Sequence, residues 1–178
     1  STSRGLGDVY KRQGEIGVMW ECPDFFPLGD KHVLICSPQH MRAKGYEFHN
    51  GHNSLYFTGD YDSEKHTFEK DAPVSLDYGL DFYAPQTFED EKERRILIGW
   101  AGIGDAPYDN EPTVEKGWQH ALTFPRELIL QDGVILQKPL EELKQLRGQE
   151  QKVCGNVALE QNVFELETKA FDKSWIVA

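Results

Sequence analysis

One acidic residue, Glu21, lies in the stretch MWECPDFF (residues 19–26), between a tryptophan and a Cys-Pro pair. A glutamate that acts as a general acid on a sugar or ester bond must be protonated near neutral pH, so its pKa has to be raised. An apolar surrounding raises it by desolvating the charged form, and the adjacent apolar residues are of the right type: Met19, Trp20, Phe25 and Phe26. More commonly, a glutamate lies at a strand edge, faces solvent and has no catalytic role. Chemistry of this kind usually needs a second carboxyl group elsewhere in the protein.

Cys22 and Asp24 flank the same glutamate and are predicted to be neighbours of its pocket. A cysteine can act as a nucleophile, but no histidine stands in a recognisable partner context. Cys22 is therefore predicted to be a small buried residue that helps to set the environment of Glu21. The chain has no Gly-x-Ser-x-Gly nucleophile elbow and no phosphate-binding P-loop.

His49 and His52 are three positions apart in FHNGHNS, a spacing that would allow a shared metal ion. The Asn-Gly between them marks a turn and no third ligand is evident, so a polar loop is favoured over a metal site. We predict no metal and no cofactor. Trp100 and Trp118 could stack on the apolar face of a sugar or could equally be core residues. Trp100 is favoured of the two, because it follows a predicted strand and sites gather at strand ends.

The composition excludes several classes of protein. The 178 residues carry a net charge of −11, which argues against nucleic acid and anionic membrane surfaces as partners. The mean hydropathy of −0.59 is typical of a soluble protein, and no apolar run approaches the roughly 20 residues that span a bilayer. Three cysteines without Cys-x-x-Cys spacing fit a reducing compartment, which weakly favours the cytoplasm.

Short β-strands separated by Gly, Pro, Asp and Asn clusters are predicted for most of the chain. β-Branched and aromatic residues mark five of them, at residues 32–37, 54–62, 94–102, 121–130 and 133–137. Near the C-terminus, VALE and VFELET alternate apolar and polar residues, which predicts a half-exposed antiparallel strand. The run EDEKERR (89–95) is predicted to be a solvated hairpin turn, and PLEELKQLR (139–147) a short helical connector.

The chain also contains an internal repeat. Residues 21–38 align with residues 83–101, with Pro23 opposite Pro85, so the offset is 85 − 23 = 62 residues. A repeat of that length built of several short strands favours propeller blades over a sandwich. Equivalent positions of propeller blades face one axis. The repeat therefore predicts that Glu21 and Tyr83, each two residues before the paired proline, lie near one site.

Several stretches, in this order, resemble glycoside hydrolase family 32. They are WECPDFF, CSPQ, DYGLDFYAPQTF, RRILIGWAG, GWQHALTFPREL and QKPLEEL. Within the family, the chain is most similar to the bacterial sucrose-6-phosphate hydrolases and β-fructofuranosidases (invertases), from about residue 14 to about residue 147. The set is specific, because Glu-Cys-Pro, Ala-Pro-Gln-Thr-Phe and Phe-Pro-Arg-Glu-Leu are unlikely to occur together in this order by chance.

The resemblance implies an all-β fold, a five-bladed β-propeller followed by a β-sandwich. It also implies hydrolysis of a β-fructofuranosyl bond with retention, through an aspartate nucleophile and a glutamate acid/base. Glu21 matches the family's acid/base, while Tyr83 and Trp100 match positions near the fructose pocket. The implied substrate is a small sugar: sucrose, sucrose 6-phosphate or a fructo-oligosaccharide.

Two motifs of the family do not occur in these 178 residues. They are the Asn-Asp-Pro-Asn-Gly that carries the nucleophile and the Arg-Asp-Pro whose aspartate holds the fructose hydroxyls. The chain is therefore interpreted as the downstream part of a hydrolase, inactive when isolated. Its predicted organisation is a non-native or disordered leader (1–13), the later propeller blades (14–138), a connector (139–147) and the start of a truncated β-sandwich (148–178).

Two other functions stay open on the same scaffold. One is a catalytically inactive carbohydrate-binding protein, and the other is an enzyme that hydrolyses fructans. A phosphate on the sugar would need a basic partner, and Arg42 and Lys44 are candidates only because they are basic in an acidic chain. A cytoplasmic location is implied mainly by the resemblance to the branch that hydrolyses phosphorylated sugars.

Overall fold

The computed structural model describes residues 16–106, 108–109, 111–156, 158 and 163–167. The chain divides into two compact units, residues 1–140 and residues 141–178. The predicted leader (1–13) and the final SWIVA stretch lie outside the described residues. In the described part of the chain, no helix is long and apolar enough to cross a membrane.

The first unit consists of two antiparallel sheets, so the fold of its described residues is all-β apart from one short helix. The first sheet has the strand order β1-β2-β3-β4, and a short β5 also pairs with β3. Its strands are β1 (Trp20–Leu28), β2 (Lys31–Pro38), β3 (Leu55–Asp62), β4 (Thr67–Lys70) and β5 (Val74–Ser75). The second sheet has the order β6-β7-β8-β9. Its strands are β6 (Tyr83–Glu89), β7 (Arg95–Trp100), β8 (Arg126–Gln131) and β9 (Val134–Pro139), and helix α1 (Glu111–Val114) lies between β7 and β8 in sequence.

Four of the five predicted strands are confirmed with bounds shifted by no more than two residues: β2, β3, β7 and β9. The prediction for residues 121–130 is wrong in its first half, because the strand begins only at Arg126. Pro125 lacks the N–H that a ladder needs, and the preceding stretch makes only an isolated bridge, Trp100 to Leu122. The turn predicted at residues 89–95 is confirmed, since β6 ends at Glu89 and β7 begins at Arg95.

Two strands that carry proline were not predicted as strands. β1 contains Pro23 and Pro27, and β6 contains Pro85. Proline is tolerated in edge strands because one side of the backbone has no ladder partner there. Both β1 and β6 are the first strands of their sheets and pair on one side only, with β2 and β7 respectively.

The internal repeat is present in the backbone. The pairing of β1 with β2 shifts register between Glu21 and Asp24, and the pairing of β6 with β7 shifts between Tyr83 and Gln86. The residue after the first of each pair has a left-handed backbone, with φ of 48° at both Cys22 and Ala84. A β-bulge of this kind re-aims the side chains next to it. The two edge strands therefore present Glu21 and Tyr83 in equivalent ways.

One hydrophobic core joins the two sheets. It combines side chains of the first sheet with side chains of the second: Phe26, Val33, Ile35 and Tyr56 from the first, and Leu97, Leu128 and Ile135 from the second. Two connecting residues, Leu76 and Phe82, belong to it as well. A second cluster lies within the first sheet and the loop after β2, around Phe57, Cys36 and Leu55. The shared core fixes the two sheets against each other.

The second unit contains little regular structure among its described residues. The predicted helical connector is a 3-10 helix, Glu141–Leu146, and Arg147 forms an ion pair with Glu165. The strand predicted at VFELET is wrong for residues 163–167, which are not in a strand. An antiparallel strand needs a neighbour to pair with, and the described part of this unit offers none. Of VALE, only Ala158 is described, so that prediction lies almost wholly outside the described residues.

Candidate active site

Two strand starts and two strand ends meet at one edge of the sheets. Glu21 lies at the start of β1, opposite Ser37 near the end of β2. Tyr83 begins β6, opposite Trp100 at the end of β7. Because each pair of strands is antiparallel, the start of one strand and the end of the next lie side by side. The bulges of β1 and β6 lie at this same edge, where they direct the first side chains away from the regular ladder.

Glu21 and Tyr83 form a hydrogen bond. The Tyr83 hydroxyl donates to Oε2 of Glu21 at 2.7 Å, and the carbonyl oxygen of Ser37 lies 3.2 Å from the same hydroxyl. Tyr83 is buried, with 5% of its surface exposed, and Glu21 is half-buried. A short bond from a phenol to a carboxylate is strong because its acceptor is charged. The proximity expected from the 62-residue repeat is thus a direct contact.

The expected rise in the pKa of Glu21 is wrong for this structure. The pKa of Glu21 is lowered, first by the hydrogen bond from Tyr83, then by a hydrogen bond from the Gln39 side chain, and further by the charge of His52. Hydrogen bonds to the ionised carboxylate favour that form. Desolvation opposes these effects and is smaller than either hydrogen bond, though larger than the effect of the His52 charge. In this arrangement, Glu21 is an ionised hydrogen-bond acceptor.

The apolar residues around Glu21 in sequence do not enclose it. Trp20 stacks on Phe57 with ring centroids 5.6 Å apart, and Phe26 is part of the core shared by the sheets. Phe25 stacks on His32 at the other end of β1. Successive residues of a strand point to opposite faces, so neighbours in sequence are not neighbours in the pocket. Met19 is more than half exposed.

Replacing Tyr83 with phenylalanine is expected to raise the pKa of Glu21. The substitution removes the largest of the effects that lower it and keeps the ring in place. The measurement is a ¹³C NMR titration of the Glu21 side-chain carboxyl in the protein and in Tyr83→Phe. Tyr61→Phe is the matched control, since the Tyr61 hydroxyl bonds His66 in an exposed turn. An unchanged or lower pKa in Tyr83→Phe would contradict this account.

Cys22 and Asp24 have different surroundings, although both flank Glu21. Cys22 is half-buried rather than buried as predicted, because the bulge turns it out of the ladder. Its pKa is raised by desolvation and by the charge of Glu21, so the thiol stays neutral and is a poor nucleophile. The Asp24 carboxylate accepts two hydrogen bonds from Thr87, from the backbone N–H at 2.8 Å and from the hydroxyl at 2.6 Å. Asp24 therefore ties β1 to β6 beside the site.

Trp100 lies across the ladder from Tyr83 and is half-buried. Its ring is edge-on to His120, at 5.2 Å between centroids, and its indole nitrogen is buried without a partner among the described residues. Gly102 is needed beside it, because a Cβ at that position would collide with the indole. Trp118 is exposed to 53% in the turn after α1.

The histidines predicted to form a polar loop bond to different groups. His49 Nε2 contacts the carbonyl oxygen of Gly45 at 2.8 Å, while His52 Nε2 contacts Asp105 at 3.3 Å. Among the residues that the structure describes, no group of three His, Cys, Asp or Glu side chains could hold a metal ion. Arg42 and Lys44 are exposed in the same loop.

Two residues of the site were missed by the sequence reasoning. Gln39 follows β2 directly and hydrogen-bonds Glu21. The only signal for it is its place in CSPQ at a strand end. His52 is buried at the end of the loop after β2, 5.4 Å from the Tyr83 ring between centroids. The sequence singled out His52 only as a possible metal ligand together with His49, and nothing in the pattern around it indicates burial beside Tyr83.

The chain is similar in sequence to a known protein family and to several named proteins. Residues 5–139, more than half of the chain, match "Glycosyl hydrolases family 32 N-terminal domain", and the match includes part of the segment predicted to be a leader. A sucrose-6-phosphate hydrolase of Klebsiella pneumoniae is 44% identical over 139 residues, which cover 78% of this chain and 30% of that protein. One of Bacillus subtilis is 43% identical over 143 residues, 80% of this chain and 30% of that protein. The chain thus spans about a third or less of these relatives.

Solved structures are similar in fold as well as in sequence. The Bombyx mori GH32 β-fructofuranosidase BmSUC1 superposes with a TM-score of 0.70 at 39% identity, over 76% of this chain and 29% of that one. A sucrose-6-phosphate hydrolase of Lactobacillus gasseri superposes with a TM-score of 0.65 at 30% identity, over 75% of this chain and 27% of that one. The family match, the relatives and these structures agree with the motifs around Glu21, and the chain belongs to glycoside hydrolase family 32.

Proposed function

We propose that the protein to which this chain belongs hydrolyses the β-fructofuranosidic bond of sucrose or sucrose 6-phosphate with retention of configuration. The observation that carries the proposal is the 2.7 Å hydrogen bond from Tyr83 to Glu21, which joins the two repeated edge strands of a family 32 chain. The names of the relatives, sucrose-6-phosphate hydrolase and β-fructofuranosidase, supply the class of substrate.

Glu21 is proposed to be the general acid/base of a two-step reaction. In the first step its proton passes to the glycosidic oxygen as that bond to the anomeric carbon breaks, and an aspartate carboxylate bonds to the same carbon. In the second step Glu21 takes a proton from water, whose oxygen replaces the aspartate and releases fructose. The aspartate is proposed to come from a part of the protein outside this chain, since the motif that carries it in the family is absent here.

The lowered pKa of Glu21 in this chain agrees with the second step, in which the carboxylate must be ionised. The first step needs the protonated acid. A second carboxylate about 5–5.5 Å away, the separation typical of retaining enzymes, would raise the pKa of Glu21 by repulsion between like charges. In the complete site, this second carboxylate would therefore supply the rise in the pKa of Glu21 that the residues of this chain alone do not produce.

The neighbours of Glu21 are proposed to serve in different ways. Trp100 and Tyr83 line the side of the site next to the fructosyl group, although the Tyr83 hydroxyl is already occupied by Glu21. Asp24 holds β6 beside β1 through Thr87, and Cys22 contributes an uncharged side chain to the wall of the site. No metal or cofactor is required for this chemistry.

The two sheets are proposed to be blades of a five-bladed propeller, with a β-sandwich following the connector. The repeated bulges of β1 and β6 support this arrangement, because each blade would present the start of its first strand to the propeller axis. An open propeller leaves strand edges unpaired. The isolated chain is accordingly proposed to fold marginally and to lack activity.

Which sugar is preferred depends on groups beyond the fructosyl site. A phosphate would need a basic partner, and the exposed Arg42 and Lys44 are candidates in the loop that ends at the Glu21 site. Fructans remain an alternative substrate. A cytoplasmic location is proposed together with sucrose 6-phosphate, and the free Cys22, Cys36 and Cys154 are in keeping with it.

A carbohydrate-binding protein without catalysis is the second candidate. It is favoured by one observation, the lowered pKa of Glu21, since an ionised carboxylate can accept hydrogen bonds from sugar hydroxyls without acting as an acid. In that case, the complete protein would bind sucrose and leave it intact.

The experiment is to express the complete protein and incubate it with sucrose, sucrose 6-phosphate and a fructan. ¹H NMR of the first product formed gives the anomeric configuration of the released fructose. Release of β-fructofuranose from sucrose or sucrose 6-phosphate is expected. Binding without turnover supports the carbohydrate-binding candidate, and inverted product contradicts the mechanism. The 178-residue chain, assayed alone, is expected to show no turnover.

A further inference from the structure

A buried imidazole lies behind the Tyr83–Glu21 pair. His52 is 7% exposed and stands in a long connection between β2 and β3 that is exposed along about half of its length. Its backbone is held by an antiparallel bridge to Gln39 and by the neighbouring hydrogen bond from His40 N–H to the carbonyl oxygen of Gly51, at 2.6 Å. The position of the ring is therefore set by the sheet and not by the loop alone.

The ring of His52 packs edge-on against the ring of Tyr83. Their centroids are 5.4 Å apart and their planes make an angle of 81°, the edge-to-face arrangement that aromatic pairs favour. Because Tyr83 is itself buried, this contact leaves its ring little freedom to rotate. The direction of its O–H bond depends on the ring plane, and that bond ends on Glu21.

The imidazole itself is oriented by the turn after β7. An ionised carboxylate only accepts hydrogen bonds, so Nε2 of His52 donates to Asp105. On the other side, a Cβ at Gly104 would lie 3.2 Å from Nδ1 and Cε1, so the backbone of this turn lies against the ring. Nδ1 has no hydrogen-bond partner among the described residues. The Asp105 side chain is 86% exposed, and such a pair adds little to stability.

We propose that His52 is a positioning residue for Glu21, whose ring holds the phenol of Tyr83 at the angle at which the hydroxyl donates to the Glu21 carboxylate. The inference rests on the proposed function, since it assigns His52 a part in the reaction of that site. His52 touches neither Glu21 nor a reacting group in this account. The charge of His52 is the last and smallest of the effects on the pKa of Glu21, whereas the positioning effect of its ring passes through Tyr83, and a double-mutant cycle isolates that part.

The test is a double-mutant cycle in the complete protein, with kcat and KM measured for sucrose. His52→Gln keeps a donor for Asp105 but removes the ring, and it is expected to lower kcat about tenfold with KM nearly unchanged. In a Tyr83→Phe background, the same change is expected to cost less than about twofold, because residues that act in series are not additive. His52→Phe keeps a ring against Tyr83 and is expected to recover most of kcat. His66→Gln, in an exposed turn of the first sheet, is the matched control.

Equal losses from His52→Gln in both backgrounds would overturn the proposal, and so would a His52→Phe variant no better than His52→Gln. If His52→Gln does not fold, the same cycle is measured with Asp105→Ala in its place. It changes an exposed side chain, and its expected two- to threefold loss of kcat should likewise vanish in Tyr83→Phe. Absence of turnover by the unmutated complete protein would overturn the proposed function itself, whereas turnover with an additive cycle would overturn this inference alone.

Discussion

Glu21→Gln in the complete protein is expected to lower kcat for sucrose by about 10²–10⁴-fold, the usual contribution of general acid–base catalysis. Glutamine keeps the shape of the side chain and an oxygen that can accept the Tyr83 hydrogen bond, so the site should remain assembled. With Glu21 as the proposed acid/base, the variant loses the proton for the leaving glucose oxygen. KM should change little, because this interaction develops only in the transition state.

A second substrate separates this role from a general loss of structure. A β-fructofuranoside with a phenolate leaving group of low pKa needs no proton, so Glu21→Gln should cleave its glycosidic bond at nearly the normal rate in the first turnover. The hydrolysis that follows should be slow, because water has lost its base, and a burst of phenolate is expected. Glu69→Gln, at an exposed position of β4, is the matched control and should behave as the unmutated protein. Equal losses on both substrates, without a burst, would contradict the acid/base assignment.

Much of the first unit could be predicted from residue types alone. The turn between β6 and β7 follows from a run of charged residues, and β2, β3, β7 and β9 follow from β-branched and aromatic residues. The contact of Glu21 with Tyr83 followed from a repeat offset, since equivalent positions of a repeat adopt equivalent environments. The strands and the turn depend on short stretches of chain and the repeat on a comparison within the sequence, so all of them are visible without a fold.

Other features depend on which surface packs on which, and the sequence alone did not reveal them. The prolines of β1 and β6 argue against strands unless it is known that both are edge strands. The pKa of Glu21 was predicted in the wrong direction, because the aromatic residues beside it in sequence lie against Phe57, His32 and the core. The carboxylate instead meets Tyr83 and Gln39, which are distant in sequence. The burial of His52 gave no signal in the sequence, since a loop has no periodicity from which burial could be inferred.

Replacing Leu97 with alanine is expected to destabilise the protein by about 2–5 kcal/mol, the range for a fully buried leucine that leaves a cavity. Leu97 lies in β7 with none of its surface exposed. It belongs to the core that joins the two sheets, together with Val33 and Ile35 of β2. The cost should appear as a lower midpoint of chemical denaturation. Leu136→Ala is the matched control, because Leu136 in β9 is 44% exposed, and its effect should stay within about 0.5 kcal/mol.

Which strands Leu97→Ala destabilises matters more than how much stability it removes. The candidate site lies between the two edge strands and depends on their spacing. If one core supports both sheets, Leu97→Ala should lower hydrogen-exchange protection in β2 and β3 as well as in β7 and β8. Loss of protection confined to the second sheet would mean that the sheets are stable independently. The Tyr83–Glu21 bond would then depend on local ties between β1 and β6, such as the one from Asp24 to Thr87. With a shared core, kcat of Leu97→Ala at low temperature should stay near normal, while heat inactivates the variant sooner.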